Sequence, residues 1–200
     1  MSARPLVIRC GALGDVVLLT PILRLLHARY GEKIDVVGAG DWTRPLLERE
    51  PAVGRLQLIT SRNTPYWLCP SQWALVHWLK KRGRGPVYCC DSNPAMLALV
   101  ARAGIPPEDI VHRPSPDDVA RAGLHLWPDR WLQMGMRDPV QPYPTREVPD
   151  PGVFRFPLLH VTDDDRRDLA SWRTVNRLEG PVVLFQPGNK RTHKRGNIAT

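Results

Sequence analysis

Apolar positions along this chain fall into short continuous runs separated by longer segments with helical spacing, and that alternation predicts its fold. Leu6 to Cys10 reads as an extended run, Val16 to Tyr30 as a helix that Gly31 ends, and Ile34 to Val37 as a second extended run, which together make a βαβ unit. The pattern repeats: a helix over Trp42 to Arg49, a strand over Leu56 to Ile59, and a helix over Trp73 to Lys81. Strands then follow at Val87 to Cys90 and Ile110 to His112, separated by a helix from Pro94 to Ala103 that Gly104 closes. Such alternation predicts an α/β fold, a Rossmann-like parallel sheet with helices on both faces. In the first helix Thr20, Arg24 and His27 share one face while leucines and isoleucine occupy the rest, so most of that helix is expected to be buried. Thr20-Pro21 fits either one continuous helix or a short turn followed by the helix proper.

Periodicity fades between Pro139 and Pro157. The run PVQPYPTREVPDPGVFRFP has little capacity for helix and reads as an extended linker. Beyond it, Thr162 followed three residues later by Asp165 suits a capped helix with acids in its first turn, and Gly180-Pro181 stops that helix. Val182 to Phe185 then looks like a new buried strand entering a basic, glycine-containing loop. The N-terminal pattern starts again there, and the sequence stops before a second βαβ unit, which takes roughly 30 residues, could be complete. Three segments are expected: a Rossmann-like domain over 1–138, a Pro-rich linker over 139–161, and over 162–200 a connecting helix with the start of a second Rossmann-like domain.

Composition narrows the partners. With 28 basic and 20 acidic residues the net charge is +8, which favours a phosphate-bearing partner or an anionic surface over an acidic protein. No nucleic-acid-binding module is legible. Cys10, Cys69, Cys89 and Cys90 show no metal-ligand spacing and read as buried reduced thiols of a cytosolic protein. Arg9 interrupts any signal peptide, and Thr20, Pro21 and Arg24 break the longest apolar run, so no transmembrane segment is expected.

The chemistry concentrates at RCGALGDVVLLTP, Arg9 to Pro21. Gly11-Ala12-Leu13-Gly14 matches neither dinucleotide nor mononucleotide glycine loops, and Asp15 puts a carboxylate where a pyrophosphate would sit. Such an acid either caps the helix or, ionised beside a cleft, accepts a proton.

This stretch resembles the N-terminal signature of glycosyltransferase family 9, the bacterial heptosyltransferases, and VVLFQPGNKRTHKR is similar to the strand and loop that open the second domain of that family. The resemblance implies the GT-B architecture, two Rossmann-like domains facing across a cleft, with the acceptor held by the first and the nucleotide sugar by the second. It implies that Asp15 is the general base, with Gly11 and Gly14 shaping the acceptor-side turn. It also implies no metal or cofactor, an ADP-heptose donor, and inverting transfer to a lipopolysaccharide inner-core glycolipid at the inner membrane surface. The family's His-Pro-Gly and Trp-Pro are not matched: here Gln186-Pro187-Gly188 is followed by Lys190, Arg191, Thr192 and Lys194. Lys194 aligns best as the donor-phosphate contact, with Thr192, Lys190 and Arg191 as alternatives. By itself the 200-residue chain is expected to be inactive.

Two rivals stand beside this reading. A nucleotide-dependent oxidoreductase needs an acid directly after the second strand, where Gly38-Ala39-Gly40 precedes Asp41. A non-catalytic acceptor-binding remnant is the other. Trp67, Trp73 and Trp78 could form a platform near the cleft, but Trp73 and Trp78 are expected in the core. Asp91 ends a strand on the cleft side, where a turn or cap is expected. The six histidines show no metal spacing.

Overall fold

The computed structural model describes residues 4–124 and 126–180. The chain divides into two compact units, Met1–His160 and Val161–Thr200. In the first, the order of elements is β1 (Leu6–Ile8), α1 (Leu13–Val17), α2 (Thr20–Tyr30), β2 (Ile34–Ala39), α3 (Thr43–Leu47) and β3 (Val53–Ile59). A short 3₁₀ turn at Tyr66–Leu68 leads to α4 (Pro70–Lys81), β4 (Val87–Cys89), α5 (Pro94–Arg102), β5 (Ile110–His112), α6 (Pro116–Arg121) and α7 (Trp127–Met136).

All five strands are parallel in the order β3-β2-β1-β4-β5. Val7 of the central strand pairs with Val36 on one side and Tyr88 on the other. Leu6, Val7 and Ile8 are fully buried, as a strand covered on both faces requires. Val7, Val36, Tyr88 and Val111 meet α1, α2 and α7 on one face of the sheet. Leu6, Ile8, Val37 and Cys89 meet α4 and α5 on the other.

The expected helix over Val16 to Tyr30 is two helices, and Pro21 is the reason. Carbonyl Val17 would normally receive the N–H of residue 21, which proline lacks, and the Thr20 hydroxyl donates to it instead at 3.0 Å. The chain turns at Leu18-Leu19 and restarts with Pro21 in the first turn of α2.

Helices α6 and α7 were not anticipated from the pattern. Gly135 of α7 lies so close to α2 that a Cβ there would stand 2.8 Å from Leu25. Its carbonyl accepts from the buried Arg29 at 2.9 Å. The Pro-rich run is docked along this same side. Arg146 N donates to Arg29 O at 2.6 Å, Leu158 N to Thr20 Oγ1 at 3.0 Å, and Tyr143 OH to Asp109 at 2.7 Å. Arg24 points its guanidinium at the Phe154 ring. Thr20 and Arg24 of the polar stripe thus face the proline segment, while the His27 ring donates to Glu32 O.

In the second unit α8 (Asp163–Val175) begins as its sequence predicts. The Thr162 hydroxyl accepts from Asp165 N at 3.2 Å, and the Asp165 carboxylate accepts from Thr162 N at 2.8 Å. The strand expected over Val182 to Phe185 and the basic loop after it lie outside the described residues. Among the described residues no helix is long and apolar enough to cross a membrane.

Candidate active site at the crossover of the sheet

From β1 the chain winds outward to β2 and β3, and from β4 it winds the other way to β5. Where the winding reverses, the loops leaving two adjacent parallel strands part, and a crevice opens at their carboxyl ends. The residues that follow β1 are Arg9, Cys10 and Gly11; those that follow β4 are Cys90 and Asp91.

Asp91 ties the two loops together. One of its oxygens accepts from Cys10 N at 3.2 Å and from Arg62 at 3.0 Å; the other accepts from Asn93 N at 2.9 Å. Arg62, from the loop after β3, also donates to Cys10 O at 2.6 Å. Asp91 is 5% exposed, and Asn93 in turn caps α5 by accepting from Ala95 N. The turn expected at Asp91 is present, and the same carboxylate is a clamp across the crevice.

Asp15 lies in the first turn of α1. It accepts from Ala12 N at 3.0 Å and from Arg9 Nη2 at 2.8 Å, while about a third of its side chain (32%) stays exposed. Arg9 is held from three sides: Nη1 donates to Cys90 O at 3.1 Å, Nη2 holds Asp15, and the guanidinium lies 5.8 Å from the centre of the buried Trp131 ring. Its Nε is buried with no hydrogen-bond partner. A carboxylate oriented by these donors with about a third of its side chain exposed can be reached by a reacting group, as proton transfer requires.

The two glycines of the turn differ. A Cβ at Gly11 would stand 2.4 Å from the Asp15 Cβ and 2.6 Å from a carboxylate oxygen, so the bare backbone at Gly11 is what lets Asp15 fold back. Gly14 has open space around its Cα and is absent from the described glycines with positive φ. Gly14 is thus an ordinary helical residue of α1, and of the two glycines it is Gly11 that shapes the turn.

Beside Arg9, a cavity of about 190 Å³ opens beyond β5, lined by Arg113, Pro116, Trp127, Arg130 and Trp131. Trp127 and Trp131 stack with centroids 5.2 Å apart, and the Arg130 guanidinium lies 4.5 Å from the Trp127 ring centre. Trp131 is shared by this cavity and the Arg9–Asp15 pair. None of these five residues was singled out from the sequence, because the helix over Trp127–Met136 was not anticipated there and Arg113 has only its place after a strand to mark it.

The remaining expectations divide. Trp78 packs on the core beneath α4, but Trp73 is 46% exposed and Trp67 69% exposed, so the core assignment of Trp73 is corrected. All four cysteines are buried free thiols. Burial pushes Cys10 up to about 12 and Cys89 up to about 11, which keeps both protonated beside the crevice. Lys190, Arg191, Thr192 and Lys194 lie outside the described residues. Among the described residues no three His, Cys, Asp or Glu side chains gather closely enough to hold a metal ion.

No protein-family model and no curated protein matches this sequence. The fold does have solved counterparts, two glycosyltransferases among them. One is the ADP-heptose lipopolysaccharide heptosyltransferase II of E. coli, with a TM-score of 0.56 and 19% identity, matching 84% of this chain and 50% of that one. Another is a family 9 glycosyltransferase from Veillonella parvula, with a TM-score of 0.61 and 15% identity over 89% of this chain and 51% of that one. The chain therefore shares its α/β fold with these enzymes and spans about half their length.

Proposed function

We propose that this chain is the acceptor-side half of an inverting, metal-independent glycosyltransferase of family 9, and that Asp15 is its general base. The observation that carries the reading is a partly exposed carboxylate, fixed by Arg9 and Ala12 N at the reversal point of the sheet, in a fold shared with two solved glycosyltransferases. In the reaction, Asp15 takes the proton of an acceptor hydroxyl as that oxygen attacks the anomeric carbon of the donor. The bond from that carbon to the diphosphate breaks, its electron pair leaves with ADP, and the configuration inverts. The donor would be ADP-heptose or a related nucleotide sugar, and the acceptor an inner-core glycolipid at the cytoplasmic face of the membrane. The tryptophan-lined cavity with Arg113 and Arg130 suits an acceptor that carries negative charge, since rings stack on sugar faces while guanidinium groups bind carboxylate or phosphate. Among the basic residues near the end, Lys194 is the first choice for the departing phosphate, then Thr192, Lys190 and Arg191.

A dinucleotide-dependent oxidoreductase is disfavoured by the same geometry. The first helix N-terminus, where a pyrophosphate would sit, is filled by Asp15 on its own Ala12 N–H. Transfer from ADP-heptose to a lipid A–Kdo acceptor by the protein, with and without Asp15→Asn, tests the proposal. Loss of a general base costs about 10²- to 10⁴-fold in turnover. An Asn variant that transfers at the parent rate reduces Asp15 to a helix cap. Residues 1–200 alone are expected to bind ADP weakly and to transfer no sugar, because the solved counterparts are about twice as long.

A further inference from the structure

Between Ser61 and Pro107 the sequence carries six cations, Arg62, Lys80, Lys81, Arg82, Arg84 and Arg102, and a single acid, Asp91. The fold turns this imbalance into a surface. Asp91 is buried in its clamp with Arg62, Arg82 pairs with the buried Asp35, and Arg84 pairs with Asp109. Lys80, Lys81 and Arg102 are exposed and, among the described residues, have no carboxylate partner. They border α4 and α5, the two helices that cover one face of the sheet, and neither helix contains an acid. Helices of the opposite face do carry acids, Asp15 on α1 and Asp129 on α7.

The same surface is apolar at one end. Trp67 and Leu68 of the 3₁₀ turn are 69% and 55% exposed, and Trp73 is 46% exposed. The Trp73 indole N–H donates to Tyr66 O at 2.6 Å, which fixes the ring beside that turn. Buried Gln72, Leu75, Val76 and Leu79 root α4 in the sheet, so its solvent side reads Trp73, Ala74, His77, Lys80, Lys81. Arg102 lies over the Tyr66 ring at 4.3 Å and adds a cation to the aromatic end.

We propose that this face, Trp67, Leu68 and Trp73 with Lys80, Lys81 and Arg102, docks the protein on an anionic phospholipid surface with α4 lying along it. Charge complementarity selects that occupant: the face is cationic with no exposed acid on either helix, and its apolar members are those suited to the headgroup boundary. Indoles settle there because one edge is apolar and the N–H is polar. Lysines lay their carbon stems along apolar surface and reach phosphate with the ammonium. The proposal stands independently of the transferase reading, because it concerns neither Asp15 nor the crevice.

Sedimentation of the chain with vesicles tests it, using phosphatidylcholine alone against phosphatidylcholine in which roughly one lipid in three is phosphatidylglycerol. Binding is expected only to the anionic vesicles, and it should weaken as salt rises. Replacing Lys80→Gln and Lys81→Gln should weaken it about fivefold per lysine. Replacing Trp67→Ser and Trp73→Ser should cost about tenfold. Arg166→Gln with Arg167→Gln removes the same charge from α8, where each arginine already pairs with an aspartate, and should leave binding unchanged. Quenching of tryptophan emission by brominated lipid in the parent chain gives an answer even if a variant fails to fold. No binding to anionic vesicles, equal loss in the α8 control, or a self-association that the tryptophan variant abolishes without any vesicle binding would each overturn the proposal.

Discussion

Two aspartates follow the neighbouring strands β1 and β4 at the same end of the sheet, and the structure treats them oppositely. Asp91 is 5% exposed and accepts from a backbone N–H on each side and from Arg62, so both its oxygens are held by donors of the surrounding loops. Asp15 accepts from Arg9 and Ala12 N and keeps a third of its side chain open. The comparison teaches where a carboxylate can do chemistry. One buried under donors from two loops holds the crevice together, whereas one that keeps a third of its side chain exposed can be reached by a proton donor.

The same substitution at both positions breaks the comparison most sharply. If Asp15 is the base proposed above, Asp15→Asn should cut turnover of the whole transferase by about 10²- to 10⁴-fold and leave melting nearly unchanged, because it removes the proton acceptor but keeps size. Asp91→Asn should do the reverse. It leaves Arg62 half-buried without its counter-charge and turns one acceptor into a donor facing Cys10 N or Asn93 N, at a cost of about 2–4 kcal/mol. Thermal melting and single-turnover transfer separate the two. If Asp91→Asn melts like the parent and Asp15→Asn unfolds, the roles are exchanged.

Much of this contrast was legible in the sequence, but not all. Five strands and the helices between them follow from short apolar runs and 3.6-residue spacing, since the inner strands are buried on both faces and the helices that cover them on one. Asp15 was legible because it stands where a nucleotide-binding loop would forbid an acid. Arg9 was read only as an interruption of an apolar run; its reach to Asp15 and Cys90 O depends on the sheet bringing the end of β4 beside β1, a contact 81 residues apart in sequence. Asp91 as a clamp and Trp131 as a floor under Arg9 are non-local in the same way. The exposure of Trp73 was misjudged because helical spacing reports which residues share a face, and the indole is held outward by a hydrogen bond to Tyr66 O.

A smaller effect is expected at Arg9, the residue that touches both regions. Replacing Arg9→Met removes the ion pair at 2.8 Å and the bond to Cys90 O, so Asp15 loses its orientation while remaining present. Turnover should fall about tenfold to a hundredfold with little change in KM for the donor, and Arg9→Lys should recover part of it, a point charge replacing a fork. In an Asp15→Asn background Arg9→Met should cost almost nothing further, because the two act through one group. A full additional loss there would make Arg9 a residue acting independently of Asp15.

The smallest effects sharpen the comparison within the turn itself. Gly11→Ala places a methyl group 2.4 Å from the Asp15 Cβ and 2.6 Å from its carboxylate, distances that real side chains do not tolerate. Asp15 must swing away from Ala12 N, and turnover should drop about tenfold while the core, which Gly11 does not touch, melts near the parent temperature. Gly14→Ala meets open space in a helix with ordinary φ, so it should stabilise the chain by about 0.4–1 kcal/mol through the unfolded state and leave transfer alone. The two alanines, three residues apart, therefore move different observables. If Gly14→Ala impairs transfer as much as Gly11→Ala, an acceptor approaches the helix backbone at Gly14 and the open space beside it is part of the site.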